Sequence, residues 1–179
     1  MTDTLQTLVL GGGCFWCTES VYVQVRGVVD VESGYCNGKL PNPNYEMVCT
    51  GQSGYCEVVK LLYDPAEVST RELLEIFFVI HDPTTLNRQG NDTGTQYRSG
   101  IYFTTPEQQQ VAQDLLAELA ASGHYSSPVV TEAQPLANYA AAEAYHQDFF
   151  ARNPNQGYCV AVAAPKVAKF RKTFARLQK

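Results

Sequence analysis

Leu5-Gln6-Thr7-Leu8-Val9-Leu10-Gly11-Gly12-Gly13-Cys14-Phe15-Trp16-Cys17 is an apolar run halted by three glycines and followed at once by a pair of cysteines. The stretch 5–10 reads as a strand, and residues from about Phe15 to Val25 as a helix that its valines weaken. Further out, Val28 to Tyr35 reads as a second strand. Pro41, Asn42, Pro43 and Asn44 make a loop by their turn chemistry, and Cys56 to Tyr63, bounded by Gly54 and Pro65, reads as a buried strand. Ser69 or Thr70 caps a helix through about Ile80, with Leu73, Leu74, Phe77, Phe78 and Ile80 as a wide buried stripe. Ile101 to Phe103 closes the series as a short strand. Strand, helix, strand, strand, helix, strand is the order of the ferredoxin-like split β-α-β arrangement, an α+β fold.

Beyond that unit, Pro106 opens a helix to about Ala121, with Val111, Leu115 and Leu119 at four-residue spacing. Val129 to Thr131 is expected as an added strand that makes the sheet mixed, and Ala141 to Phe150 as a further helix. The last segment, with Pro165, Lys166, Lys169 and Arg171, reads as a basic surface helix or irregular tail. No repeat or linker divides residues 1–179, so a single domain is expected.

The chain has 179 residues and 45% hydrophobic composition, enough apolar surface for one core. No stretch approaches the roughly 20 apolar residues of a membrane span. Net charge is −5, which excludes the basic face a nucleic-acid binder needs. The first ten residues carry neither a basic region nor a long apolar block, so no secretory signal is read and a cytoplasmic location is expected. Six cysteines without an export signal argue against a structural disulfide framework. Cys14-x-x-Cys17 has no second pair to complete a zinc site, and no metal is expected. Redox or nucleophilic chemistry is the better reading.

Cys14 falls where a strand ends and a helix begins. Glycines there permit tight backbone geometry and close approach of a ligand. The free N–H groups of a helix start favour a thiolate, the reactive form of cysteine. Cys17, three residues on, lies on the same helix face. On this motif alone a buried cysteine in a strand-to-helix turn stays open as the bland alternative. The long polar stretch Asp82 to Ser99 is expected to be functional, since compact domains rarely carry such loops idly.

The wider sequence narrows the choice. Gly12-Gly13-Cys14-Phe15-Trp16, the stretch Asn42-Pro43-Asn44-Tyr45-Glu46-Met47-Val48-Cys49-Thr50-Gly51, and Glu57-Val58-Val59 resemble the A-type methionine sulfoxide reductases. So does the uninterrupted block from His81 to Asp92, followed by Gly94-Thr95-Gln96-Tyr97-Arg98-Ser99. Ala142-Glu143-Ala144-Tyr145-His146-Gln147 and Asn153-Pro154 complete a match that spans nearly the whole chain in order. The resemblance implies reduction of the S epimer of methionine sulfoxide, free or in oxidised proteins, as repair of oxidative damage. It makes Cys14 the nucleophile, Glu57 the proton donor, and Tyr45 and Tyr97 the phenols that hold the sulfoxide oxygen. Phe15 and Trp16 would receive the substrate methyl group, with Asp92 and His146 in support and Arg88 and Arg98 tying the long loop down.

Attack would leave a Cys14 sulfenic acid. The resemblance implies that a second thiol, Cys159 first and Cys17 close behind, condenses with it to a disulfide. Thioredoxin or dithiothreitol would then restore the dithiol, with no bound cofactor. A monomer is expected, because no coiled-coil heptad is visible.

Taken singly, each tyrosine is an amphipathic half-buried ring and Glu57 a solvated charge; only their motifs lift them above that. The chain also departs from the family. Tyr55 stands where histidine is usual, and is expected to flank Glu57 while Cys56 points away. Cys17 stands where glycine is frequent, Cys36 where a small residue is common, and no further cysteine occupies a glycine-rich tail. Cys36, Cys49 and Cys56 are expected as small core residues. A general thiol–disulfide oxidoreductase using Cys14 and Cys17, a zinc-binding module and a Cys14–His146 hydrolase are the competing readings. The first leaves Tyr45, Glu57 and Tyr97 unexplained, ligand spacing speaks against the second, and turnover of thioesters or peptides without a reductant would mark the third.

Overall fold

The computed structural model describes residues 4–179. Its strands are β1 (Gln6–Gly12), β2 (Val28–Cys36), β3 (Cys56–Tyr63), β4 (Arg88–Gln89), β5 (Asp92–Thr93), β6 (Ser99–Phe103), β7 (Glu132–Pro135) and β8 (Ala140–Ala141). Six of them form one sheet in the order β7-β6-β1-β3-β2-β8. The four middle strands pair antiparallel throughout, and their order is that of the ferredoxin-like unit expected from the sequence. The fold is α+β, with β7 running parallel to β6 and making the sheet mixed.

Period-2 alternation sorts β1 and β3 onto two faces. Leu8, Leu10, Val59, Leu61 and Tyr63 enter the main core beneath the helices, whereas Val9, Cys56 and Val58 join Cys36 and Tyr102 in a smaller cluster on the opposite face. Cys36 and Cys56 are direct register partners there, and Tyr35 lies opposite Glu57 one residue along.

The helices are α1 (Phe15–Tyr22), α2 (Tyr45–Cys49), α3 (Thr70–Ile80), α4 (Pro106–Ser122), α5 (Phe149–Arg152) and α6 (Ala164–Thr173). α1 is buried nearly all round, because the sheet covers one side and the C-terminal segment the other. α3 begins with a reciprocal capping box: Ser69 Oγ accepts from the Glu72 amide and the Glu72 carboxylate accepts from the Ser69 amide. α4 has Pro106 at its first turn and ends on Gly123 at φ +68°. Among the described residues no helix is long and apolar enough to cross a membrane.

Two elements differ from expectation. The added strand falls at Glu132–Pro135, not at 129–131, because Val130 donates to the carbonyl of Pro83 and Thr131 bonds the Ser99 hydroxyl. The stretch Ala141 to Phe150 is not a helix. Ala140 and Ala141 pair with Tyr35 and Gly34 on the edge of β2, 144–146 form one 3-10 turn, and Asp148 at φ +54° interrupts before α5. The Gln147 side chain extends that edge, accepting from the Ser33 amide and donating to its carbonyl, each at 2.9 Å. The basic segment is α6, entered through a π-helical turn at Cys159–Ala163 and docked by buried Val167 and Phe170.

Ser69→Ala removes one arm of the α3 capping box and is expected to lower unfolding stability by about 1 kcal/mol. Urea denaturation measures it. An unchanged midpoint would mean that the Arg176–Glu72 ion pair at 2.8 Å, rather than the cap, holds this helix start.

Candidate active site

β1 runs out at Gly12, and Gly13 adopts φ +94°, where a side chain would also meet Gln89 at 2.6 Å. This turn delivers Cys14 as the N-cap of α1, its carbonyl accepting from the Cys17 amide at 3.1 Å. The helix start was expected to favour a Cys14 thiolate. Burial outweighs it. Removal from water pushes the Cys14 thiol well above its ordinary value, the hydrogen bond with the Cys17 thiol and the nearby Glu57 push the same way, and the Trp16 amide opposes them.

Cys17 is fully buried but goes in the other direction. Its interaction with Cys14 is the main cause, and Lys166 adds to it against the cost of burial. Its thiol donates to Tyr158 Oη at 3.8 Å, and Tyr158 in turn donates to Asp92 Oδ2 at 2.6 Å.

Glu57 rises from β3 beneath the start of α1 and is 1% exposed. Its Oε1 accepts from the Phe15 amide at 3.3 Å, while Oε2 has no hydrogen-bond partner among the described residues. Burial pushes its carboxyl up to about 8, with the charges of Asp92 and Cys17 adding and the Phe15 amide opposing. A neutral carboxylic acid at neutral pH is therefore built into the site.

Tyr45 opens α2 and Tyr97 ends a 3-10 turn at Thr95–Tyr97. Both phenols lie within electrostatic reach of Glu57 and Cys14, and burial lifts both well above the ordinary phenol. They stay protonated donors. Cys14, Glu57, Tyr45 and Tyr97, distant in sequence, are thus gathered in one place. Glu143 pins part of it: one oxygen accepts from the Tyr35 hydroxyl at 2.7 Å and the other from the Tyr45 amide at 2.9 Å.

Phe15 and Trp16 belong to a larger aromatic cluster. Trp16 stacks on Phe149 at 3.7 Å and 5°, and its indole N–H donates to His146 Nδ1 at 3.0 Å. Because indole only donates, Nδ1 must be unprotonated and the ring proton is on Nε2, a buried atom without a partner among the described residues. Burial lowers the His146 pKa, in keeping with a neutral ring. His146 also packs against Phe15 at 5.0 Å and Tyr45 at 4.5 Å. Asp92 and His146 accordingly bind Tyr158 and Trp16, not the hydroxyls of Tyr45 and Tyr97.

Cys159 is buried beside Cys17, whose charge adds to the effect of burial in raising its thiol. Cys36 and Cys56 are core residues as expected, but Cys49 is not: it ends α2 exposed, with its thiol hydrogen-bonded to Tyr45. Tyr55 lies against Gly38, where a Cβ would come within 2.2 Å of the ring, and its hydroxyl donates to the Leu40 carbonyl. Arg98 ties the long loop, donating to Thr95 and Gly54 carbonyls at 2.8 and 3.0 Å and pairing with Glu132 at 3.3 Å. Arg88 is exposed. Sequence reasoning gave no role to Tyr158, Glu143, Phe149, Tyr35 or Lys166. Glu143 lay inside a motif already quoted and Tyr158 directly before Cys159, whereas Phe149 carried no signal of its own.

Comparison with known proteins agrees with this geometry. The family model described as peptide methionine sulfoxide reductase matches residues 6–178. A peptide methionine sulfoxide reductase MsrA of Polynucleobacter asymbioticus is 56% identical over 174 residues, covering 97% of this chain and 92% of that protein. The crystal structure of reduced Mxr1 from Saccharomyces cerevisiae superposes with a TM-score of 0.79 at 35% identity, covering 90% of this chain and 92% of that one. Mxr1 in complex with Trx2 superposes at 0.55 with 25% identity, covering 82% and 86%. With its sheet order, its buried acid and a match along nearly its whole length, the chain belongs to the peptide methionine sulfoxide reductase family.

Proposed function

We propose that this chain reduces the S epimer of methionine sulfoxide, free or in oxidised proteins, through a Cys14 sulfenic acid that an internal disulfide then resolves. The observation that carries this reading is Glu57, neutral, buried and with one oxygen uncommitted beside Cys14. Sulfoxide oxygen is a poor leaving group until protonated, and Glu57 is the acid that protonates it. Tyr45 and Tyr97 donate to the same oxygen as its charge develops. The Phe15 and Trp16 rings hold the substrate's methyl end.

The oxygen passes formally to Cys14. A thiol and a sulfoxide become a sulfenic acid and a thioether, the substrate sulfur gaining the two electrons that Cys14 loses. Cys17, one helical turn from Cys14 and interacting with it electrostatically, is the favoured first condensing partner, ahead of Cys159. Cys159 lies beside Cys17 and is suited to take the disulfide over, freeing Cys14. Thioredoxin is the proposed reductant, by likeness to the relative crystallised with Trx2. A monomer acting in the cytoplasm in repair of oxidative damage completes the reading.

Dithiothreitol-driven turnover of each epimer, run beside Cys14→Ser, tests the activity. The S epimer alone should disappear, and the substitution should abolish the reaction. Turnover that survives in Cys14→Ser removes the nucleophile from this account.

Glu57→Gln should slow methionine formation by about 10²–10⁴. In the unsubstituted enzyme, methionine formation should decline above about pH 8 as Glu57 loses its proton. If the Glu57→Gln variant keeps that decline, another group is responsible for it.

The same substitution should stabilise the fold. The folded carboxyl titrates near 8 against an ordinary value of 4.5, so the native state holds a proton that the unfolded chain has lost. Stability is therefore full below about pH 4.5 and drains away as pH rises towards 8. Glutamine escapes that loss. At pH 8 the variant should be the more stable by urea denaturation, by up to about 4 kcal/mol, with little difference at pH 4.

A further inference from the structure

We propose that Tyr158 and Asp92 form the proton-accepting pair that activates Cys17 for its attack on the Cys14 sulfenic acid, with Lys166 as the charge that supports the developing thiolate. This rests on the reading of Cys17 as the first condensing partner.

A buried thiol is a poor nucleophile until it gives up its proton, and Cys17 is 1% exposed. Its route outward is laid down in hydrogen bonds. Cys17 Sγ lies 3.8 Å from Tyr158 Oη, and Tyr158 Oη lies 2.6 Å from Asp92 Oδ2. A phenol has one proton to donate. Tyr158 commits it to the Asp92 carboxylate, so its oxygen can only accept from Cys17. The chain of bonds therefore has one direction, from thiol to phenol to carboxylate. Tyr158 need never become a phenolate, since it passes one proton on as it takes the next.

Asp92 gives the proton an exit. It is half-buried and opens on a cleft of about 310 Å³ lined also by Gly90, Asn91, Tyr158 and Lys166. The charged and titratable groups that face Cys17 are Cys14 on its own helix, Lys166 on α6, Asp92 on β5, Tyr158 and Cys159 in the C-terminal segment, and Glu57 on β3. Lys166 is the one cation among them. The basic segment that the sequence leaves as a surface helix thereby acquires a chemical purpose at its first turn.

The step balances. The Cys17 sulfur forms a bond to the Cys14 sulfur and the Cys14 S–O bond breaks. The Cys17 proton reaches Asp92 through Tyr158, and the hydroxyl leaves as water with a proton from Glu57. The Cys14 thiol proton had restored Glu57 in the first step, and Glu57 then regains a proton from solvent as Asp92 releases one. Cys17 is oxidised and the sulfenic sulfur reduced, with water as the only product besides the disulfide.

The test is a single turnover with stoichiometric methionine S-sulfoxide and no reductant. Methionine is measured by chromatography, sulfenic acid by dimedone capture, and disulfides by peptide mass spectrometry. Tyr158→Phe keeps the ring that meets Trp16 edge-on at 5.9 Å and removes only the hydroxyl. Its disulfide should form about a hundredfold more slowly, with methionine appearing well ahead of it and sulfenic acid accumulating between. Condensation in this variant should also become steeply faster with rising pH, as free thiolate replaces the lost relay. Asp92→Asn should show the same split.

Condensation within threefold of the unsubstituted rate in Tyr158→Phe overturns the relay. So does an equal slowing of methionine release, which would make Tyr158 a prop for Trp16. Cys17→Ser is the separate arm. A rapid Cys14–Cys159 disulfide in that variant would remove the underlying reading together with the relay. Loss of the rapid disulfide there, with Tyr158→Phe unaffected, would remove the relay alone.

Discussion

The hydrogen bond from the Phe15 amide to Glu57 ties the start of α1 to the strand in the middle of the split unit. β3 is held by ladders on both sides, to β1 and to β2, so the carboxyl it carries has little freedom to move. The first amides of a helix lack partners within it, and one of them is spent here on a carboxyl. Burial, with Glu57 adding to it, keeps Cys14 at the N-cap from being an activated thiolate at rest. One amide of the helix start faces the acid, and both Cys14 and Glu57 hold their protons at neutral pH.

The C-terminal third completes a site that the first hundred residues only begin. Glu143 joins the Tyr35 hydroxyl to the Tyr45 amide, Gln147 lengthens the edge of β2, and Phe149 closes over Trp16. A buried carboxyl on α1, Glu19, faces the turn at Asp148 and Phe149, and burial pushes it up to about 7. The wrap is therefore polar at its joints and aromatic at its working face. Such joints hold position at fixed geometry where an apolar contact would allow sliding.

The central unit was legible because each strand carried its own period and each turn its own chemistry. Gly11 to Gly13 before Cys14, and Ser69 before an apolar stripe, placed both crossover helices correctly. The stretch from Ala141 to Phe150 was misread because alanine has the highest intrinsic helix propensity, whereas the free edge of β2 offered Ala140 and Ala141 a ladder. Tertiary pairing overrode local preference. Cys49 was misplaced because a five-residue helix has no complete buried face to put its last residue on. Of the candidate site, Cys14, Glu57, Tyr45 and Tyr97, which the structure gathers together, were legible through their motifs. Their holders were not. Glu143 acts through a backbone amide, and Lys166 through charge across a helix boundary, neither of which leaves a periodic trace.

Trp16 is the only tryptophan in the chain. It lies two residues from Cys14, stacked on Phe149, with its N–H held by His146. Indole emission responds to stacking, to hydrogen bonding and to nearby sulfur. The protein's indole fluorescence therefore comes from one place, and the progress of the reaction can be followed in the unlabelled protein as a change of light.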